Sequence, residues 1–246
     1  MRAARPLTAE GVRPNATGDL HKTPLVHVLV YMLDRRLTGT TCFVDPDGFV
    51  HGIYFSDGMP AKVWTGTMVA PLDRVILDLG LLDEKTLRDS LKEISRRRVL
   101  HGRHLVDKGL LDRETLLTVL RHQLVRKLIA LFELPPETRY AYFDGVNLLD
   151  VYGGPDLLEC EPLSVVMAGV RLHAGSPIVD STLERIAHRP LGLHLDADPK
   201  RFQLHRDEAA VVDLLRTRRM TLTELSSAGV AQERVVRLTV YALAIT

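Results

Sequence analysis

The sequence has few of the residues on which many scaffolds and sites depend. Its two cysteines, Cys42 and Cys160, are too few for a disulfide framework or a cysteine-rich zinc site, so we expect reduced thiols in a cytoplasmic protein. Aromatic residues make up 5% of the chain, so aliphatic helices should supply most of the core. No apolar run approaches the about 18 residues of a membrane-spanning helix, and residues 1–18 lack the apolar segment of a secretory signal. A net charge of +1 argues against binding to nucleic acid or anionic lipid through bulk charge.

Catalytic motifs are absent as well. The sequence contains none of the patterns G-x-x-x-x-G-K-[ST], G-x-S-x-G, H-E-x-x-H and G-x-G-x-x-G. Its aspartates and glutamates fall mainly where they would cap helices or lie on helix faces. We therefore predict that the chain is not an enzyme and uses no cofactor and no metal.

A β-sheet signal runs from Gly39 to Thr65. Asp45–Gly48 has the proline and glycine of a type I turn, and Ser56–Gly58 contains the Asp-Gly pair typical of hairpins. The segments between these turns are rich in β-branched and aromatic residues. The stretch predicts three antiparallel strands, and we expect the aromatic segment 138–143 to return to the same sheet.

Two periodic patterns predict what covers this sheet. His51, Ile53 and Phe55 alternate along one strand, so they should share one face, with Val50 and Tyr54 on the other. Apolar residues at four-residue spacing predict a helix that packs on the sheet: Leu25, Leu29 and Leu33.

An internal repeat follows the sheet signal. Arg74–Leu91 and Arg103–Leu120 are identical at nine of eighteen positions at an offset of 29 residues. Both contain a Gly-Leu-Leu-Asp sequence, at Gly80–Asp83 and Gly109–Asp112. Glycine favours the left-handed conformation that ends a helix, and aspartate is a preferred helix N-cap. Each unit therefore predicts a short helix followed by a longer one, and two stacked units should bury the leucines that neither buries alone.

The remaining sequence predicts further helices. After the repeat pair, Gln123–Leu134 is predicted to continue as a helix that ends at two prolines. Later helices are predicted at Glu161–His173, Ser181–Ala187, Asp207–Arg216, Thr221–Ala228 and Gln232–Ile245. The last two, separated by Gly229, have the outline of a helix-turn-helix. Because the sequence stops within an apolar helix, we expect it to be a fragment of a longer protein.

These patterns together predict an α+β fold. Residues 1–17 are interpreted as a flexible arm. Residues 18–145 are predicted to form a domain with a small antiparallel sheet, packed helices and a helical repeat pair inserted at about 68–122. Residues 146–246 are predicted to form a mostly helical domain that is truncated at its C-terminus.

The first predicted domain resembles the PATAN domain of bacteria. The resemblance is carried by Gly18–Leu20, Thr23–Leu25, Arg36–Gly39 and Gly52–Gly58, and by an apolar helix and aromatic strand at Leu128–Phe143. It implies a protein-interaction module of the kind found in regulators of type IV pili, phototaxis and gliding motility. The C-terminal part is similar to a degenerate winged helix.

The repeat resembles the MshEN-type N-terminal domain of type II secretion and pilus assembly ATPases. Some of those domains bind cyclic di-GMP through a repeated Arg-Leu-Gly-x-x-Leu-Val-x-x-Gly-Leu pattern, which aligns here with Pro71–Leu81 and Leu100–Leu110. The leading arginine is missing from both units, and Asp73 stands at the glycine position of the first. The resemblance implies that the scaffold is kept and the ligand chemistry largely lost, with these candidate nucleotide contacts: Arg74, Arg98, Gly102 and Arg103.

Three groups of residues have both a functional and a structural interpretation. Arg96–Arg98 with Arg103 would suit a phosphate clamp, or a solvated helix end. His101, His104 and His122 would suit a metal site, or an ordinary protein surface. The second helix of the helix-turn-helix could read DNA, or be a packing element, and its candidate contacts are Gln232, Arg234 and Arg237.

The function favoured by the sequence is a non-catalytic adaptor in bacterial signalling that binds cytoplasmic proteins, in motility, pilus or secretion regulation. Nucleic acid and membrane insertion are not expected, and a homo-oligomer is compatible with this role. The first alternative is a cyclic di-GMP receptor that uses the repeat. The second is a DNA-binding regulator that uses the helix-turn-helix.

Overall fold

The computed structural model describes residues 11–95, 99–150, 152, 154, 156–158, 160–172 and 177–246. These residues form an antiparallel five-stranded sheet and ten α-helices, so the predicted α+β fold is confirmed. They divide into two compact units. The first unit comprises the described residues through Leu25 together with Arg35–Cys160, and the second comprises Val26–Asp34 and Glu161–Thr246.

The sheet lies in the first unit and contains all the predicted strands. Its strands are β1 (Ala16–Asp19), β2 (Gly39–Val44), β3 (Val50–Ser56), β4 (Met59–Trp64) and β5 (Arg139–Asp144). Their order in the sheet is β1-β5-β2-β3-β4. The aromatic strand β5 pairs antiparallel with β2, with Ala141 opposite Cys42, so the predicted return of this strand is confirmed.

Both predicted turns form for the expected reasons. The amide of Gly48 donates to the carbonyl of Asp45 at 3.0 Å and closes the turn between β2 and β3. Asp57 and Gly58 have φ values of +50° and +81°, the positive values that a type I′ hairpin requires at both central positions. Alternation on β3 is also as predicted, since His51, Ile53 and Phe55 are buried.

Strand β1 was not predicted. Ala16 and Thr17, which the sequence analysis placed in a flexible arm, pair with Tyr142 and Ala141 of β5. Asn15 extends this contact, because its side-chain Oδ1 accepts a hydrogen bond from the amide of Asp144 at 2.9 Å. The arm interpretation is therefore wrong from position 16 onward, and residues 1–10 lie outside the described part of the chain.

The repeat forms four helices in two equivalent pairs. They are α2 (Leu72–Asp78), α3 (Glu84–Ser95), α4 (His101–Asp107) and α5 (Arg113–Leu131). Gly80 and Gly109 end the short helices with φ values of +67° and +66°. Asp83 and Asp112 cap the long helices by accepting from the amides three residues on, at 2.8 and 2.7 Å. The predicted helix–glycine–aspartate–helix unit is confirmed in both copies.

The two repeats are interlocked. Helix α2 packs on α5, and α4 packs on α3, so each short helix contacts the long helix of the other repeat. Their shared core consists of buried aliphatic residues from all four helices and the turn between α4 and α5: Val75, Ile76, Leu87, Leu105, Leu111 and Val119. Neither repeat could bury these side chains alone, which confirms the predicted joint core.

Helix α5 extends beyond the repeat. The predicted insertion ends at about residue 122, but the helix continues to Leu131 without a break. Its second half buries Leu124, Leu128 and Leu131, and the helix packs against β4. The helix passes through the predicted end of the insertion, as the apolar pattern of Gln123–Leu134 predicted, because residues 113–131 contain no proline or glycine that would end it.

The residues after β5 also belong to the first unit through Cys160, although the sequence analysis ended this domain at 145. The hydroxyl of Thr40 on β2 donates to the carbonyl of Val146 at 2.7 Å. Farther along, the amide of Leu158 donates to the carbonyl of Ala61 on the edge strand β4 at 3.3 Å. The described residues Val146 and Leu158 thus bond to β2 and to the edge strand β4, which the sequence did not predict.

The second unit is helical. It contains α1 (Leu25–Asp34), α6 (Pro162–Leu172), α7 (Pro177–Ile186), a short 3₁₀ helix (Pro199–Phe202), α8 (Arg206–Thr217), α9 (Leu222–Ser227) and α10 (Glu233–Ile245). Helix α10 lies at the centre and contacts α6, α7, α8 and α9. No helix in the described ranges has both the length and the apolarity needed to cross a bilayer.

Helix α1 belongs mainly to the second unit. Its apolar stripe predicted packing on the sheet, and Val26–Asp34 groups with the helices of the second unit. The side chain of His27 is hydrogen-bonded to the hydroxyl of Tyr241 on α10, with 2.8 Å between Nε2 and the oxygen. Burial, followed by the nearby charge of Arg185, lowers the pKa of His27 below its usual 6.5.

Candidate functional site

The predicted nucleotide-binding arginines of the repeat occupy equivalent, exposed positions. Arg74 on α2 pairs with Asp78 one turn later, with 3.0 Å between Nε and Oδ1. Arg103 on α4 lies 3.9 Å from Asp107 in the same way. Each guanidinium therefore already has a carboxylate partner. The other predicted members of the clamp, Arg96–Arg98, lie outside the described residues.

Gly102 has a packing role. A Cβ atom at this position would lie 2.9 Å from Cδ1 of Leu116 on α5 and 3.5 Å from Cδ2 of Leu72 on α2. The missing side chain thus allows α4 to approach its neighbours in the interlocked core. This contact accounts for the glycine without a bound nucleotide.

The histidines of the second repeat are held by neighbouring side chains. His101 Nε2 lies 2.9 Å from the hydroxyl of Ser90 on α3, and burial is the main cause that lowers the pKa of His101. His104 is buried, and its Nε2 lies 3.4 Å from a carboxylate oxygen of Glu93 without hydrogen-bond geometry. His122 is exposed. Within the described ranges, no group of three or more potential ligands is arranged to hold a metal ion.

The second helix of the predicted helix-turn-helix is mostly buried. A capping box forms at the start of α9, where Thr221 and Glu224 exchange hydrogen bonds. Helix α10, however, buries residues on several sides: Val236, Leu238, Thr239, Val240, Tyr241 and Ala242. Of the candidate DNA contacts, Gln232 and Arg234 are exposed, and Arg237 pairs with Asp180 of α7. A recognition helix needs a free face to enter a groove, and α10 offers mainly its first turn.

The sheet unit contains a buried histidine–aspartate pair with a structural role. Nε2 of His51 lies 3.3 Å from Oδ2 of Asp45, and its Nδ1 accepts a hydrogen bond from the amide of Gly66. The other oxygen of Asp45 accepts from the amide of Phe49 at 2.8 Å. Both ring nitrogens are thus occupied. The nearby thiol of Cys42 is also inert as a nucleophile, because burial raises its pKa to about 12.

The second unit has an open cleft of about 860 Å³, which we call the α1–α10 cleft. Its floor is apolar and is formed by side chains from several helices: Val30, Leu33, Leu163, Phe202, Leu215, Val240 and Leu243. One wall is set by a β-bridge in which Leu191 and Met220 exchange backbone hydrogen bonds of 2.8 and 2.9 Å. A cleft of this size with an apolar floor and a polar rim is suited to binding.

The rim of the cleft carries arginines in two different states. Arg201 is held by both carboxylate oxygens of Glu161 at 3.0 Å. Arg189 and Arg219 also line the cleft, and neither forms an ion pair with a described carboxylate. The side chain of Arg219 passes over Gly192, where an added Cβ would lie 3.0 Å from its Cγ. Two guanidinium groups are therefore available at the mouth of the cleft.

A loop at the rim exposes an apolar side chain. Leu195 is 99% exposed, and its neighbours His194 and Asp196 both line the cleft. The side chain of Asp196 is 92% exposed and lies 3.7 Å from Nδ1 of His194. The loop thus presents a leucine and a carboxylate side by side.

Sequence reasoning missed this cleft, because its lining comes from several separate segments between positions 30 and 246. The one local signal was Leu195, a large apolar residue between His194 and Asp196. No protein-family model matches the chain, and no curated protein and no solved structure matches it either.

Proposed function

We propose that this chain is a non-catalytic adaptor that binds a segment of another cytoplasmic protein in the α1–α10 cleft. The observation that carries the proposal is the cleft itself, about 860 Å³ with an aliphatic floor and a mixed polar rim. Apolar grooves between helices commonly receive the apolar side chains of a partner peptide or helix. Arg189 and Arg219 at the rim could hold acidic residues of the same partner.

The sequence resemblances support the cellular setting of this proposal. PATAN-like features in residues 18–145 and MshEN-like features in the repeat both occur in bacterial machinery for motility, pili and secretion. An adaptor in these systems would work in the cytoplasm, which agrees with the two reduced cysteines.

Site-specific photo-crosslinking in the host cell tests the adaptor proposal. A photoreactive amino acid replaces His194 at the cleft rim, and a matched variant carries it at Met68, which is 86% exposed in the other unit. We expect a protein other than this chain to be crosslinked from position 194 and not from position 68. Equal labelling from both positions, or none from position 194, would contradict the proposal.

The nucleotide and DNA functions remain predictions with tests of their own. In the repeat, Arg74 and Arg103 pair with aspartates and Gly102 has a packing role, so no specific geometry favours cyclic di-GMP. Calorimetric titration with cyclic di-GMP would detect such binding. A gel shift at low salt would detect DNA binding, which depends strongly on salt.

A further inference from the structure

We propose that two copies of this chain associate through the α1–α10 cleft, with Leu195 of each copy inserted into the cleft of the other. The inference concerns the same cleft as the adaptor proposal, so a second copy and a segment of another protein would compete for it, and the dimer is tested on the purified chain alone. A second copy is the occupant, and each copy contributes the residue that fills its partner's cleft.

The first argument is the position of Leu195. Its side chain is 99% exposed, although it lies between two residues that line an apolar cleft. Single exposed leucines are common on protein surfaces, so exposure alone would mean little. Here the exposed leucine and an apolar cleft share one rim, and burying the leucine in such a cleft would remove both apolar surfaces from water.

The second argument is symmetry. In a two-fold dimer the same surface patch is used by both copies, so a projecting side chain and its receiving cleft must lie close together on that patch. Leu195 and the cleft meet this requirement, since His194 and Asp196 belong to both the loop and the lining. When Leu195 of one copy enters the cleft of the second, Leu195 of the second copy enters the cleft of the first, and the assembly is complete with two copies.

The third argument is charge. Asp196 lies beside Leu195 and would enter the partner's cleft with it, where Arg189 and Arg219 lack a carboxylate partner among the described residues. The other charged groups of the lining are already engaged within the copy. Asp198 accepts a hydrogen bond from the amide of Lys200, and Arg201 pairs with Glu161. Within its own copy the carboxylate of Asp196 is 92% exposed and lies 3.7 Å from His194, so inserting Leu195 and Asp196 brings an exposed anion to two arginines that form no ion pair with a described carboxylate.

Sedimentation velocity and equilibrium runs on the purified chain test the contact of Leu195. We expect a reversible dimer, and we expect Leu195→Ser to weaken it by about 100-fold or more, because each dimer loses the leucine contact twice. Met68→Ser, a matched change at an exposed residue of the other unit, should leave the dimerisation constant unchanged. A chain that stays monomeric up to about 100 µM would overturn the proposal, as would a dimer that Leu195→Ser does not weaken.

A charge exchange tests the predicted pairing. Asp196→Arg and Arg219→Asp should each weaken the dimer, since each places like charges together or removes the attraction. The double variant restores opposite charges and should dimerise more tightly than either single variant. Both positions are exposed, so the variants should fold, which circular dichroism checks. A double variant that is no tighter than the weaker single variant would refute the pairing and with it the proposed orientation.

Discussion

The interlocked packing of the two repeats predicts that damage to one repeat should loosen both. Leu105 of α4 is fully buried in the shared core, so Leu105→Ala removes its side chain from contact with residues of both repeats. Burial of a leucine makes such changes cost about 2 to 5 kcal/mol, depending on how far the site can collapse. Half-buried neighbours such as Leu79 and Leu110 can move inward, which favours the lower part of that range, about 2 to 3 kcal/mol.

Hydrogen exchange followed by mass spectrometry reads this effect helix by helix. A loss of about 2 to 3 kcal/mol corresponds to exchange about 30 to 150 times faster in the helices that open together, if each 1.4 kcal/mol is a tenfold change. We expect α2, α3, α4 and α5 to exchange faster by similar factors. Leu225→Ala, at a fully buried site of the second unit, is the control and should leave these helices unchanged. Faster exchange confined to α4 and α5 would refute the interlocked core.

Four further predictions follow from described contacts. Gly80→Ala and Gly109→Ala should each lower the free energy of unfolding by about 1 kcal/mol in urea titrations. Both glycines have the same positive φ, and the space around each Cβ position is open. Unequal losses of stability would contradict the equivalence of the two repeats. Glu208→Gln should lower the free energy of unfolding by about 2 to 3 kcal/mol, because it breaks the partly buried ion pair with Arg171, whose Nη2 lies 2.6 Å from Oε2. A thermal unfolding transition that the substitution leaves unchanged would contradict this. Burial lowers the pKa of His27 in the folded state, so the unfolded state binds more protons as the pH falls through about 6.5. The free energy of unfolding should therefore fall as the pH drops from 7.5 to 5.5. His27→Gln should make this pH dependence weaker. Calorimetry with cyclic di-GMP at micromolar concentrations should show no heat of binding, and a saturable signal would restore the nucleotide hypothesis.

The parts of the fold that the sequence predicted are those specified by local chemistry. The Asp57-Gly58 turn requires positive φ at both positions, which few other residue pairs tolerate. The Gly80–Asp83 and Gly109–Asp112 segments combine a helix end and a helix start in four residues, and both form as expected. In each case the residue type alone restricts the backbone to one outcome.

The missed elements depend on partners that are distant in the sequence. Strand β1 has the sequence Ala-Thr-Gly-Asp, with no β-branched alternation, and it forms because β5 lies more than 120 positions away to receive it. Helix α1 has an apolar stripe that would suit a sheet or a helical unit equally well, so its periodicity could not predict that Val26–Asp34 groups with the second unit. The α1–α10 cleft is assembled from segments that share no motif, so only the fold brings Leu33, Phe202 and Leu243 together.

The continuous helix Arg113–Leu131 has a consequence for how this protein could be cut or redesigned. One end of this rod completes the core of the repeats through Val119, while the other end shields the sheet through Leu128. Removing residues 68–122 as a cassette would therefore strip the sheet of half its supporting rod and leave a shortened helix to start without Asp112 as its cap. A ligand or protein that tilts the repeats would also move this helix, and the movement would reach the sheet, because the same helix packs against β4.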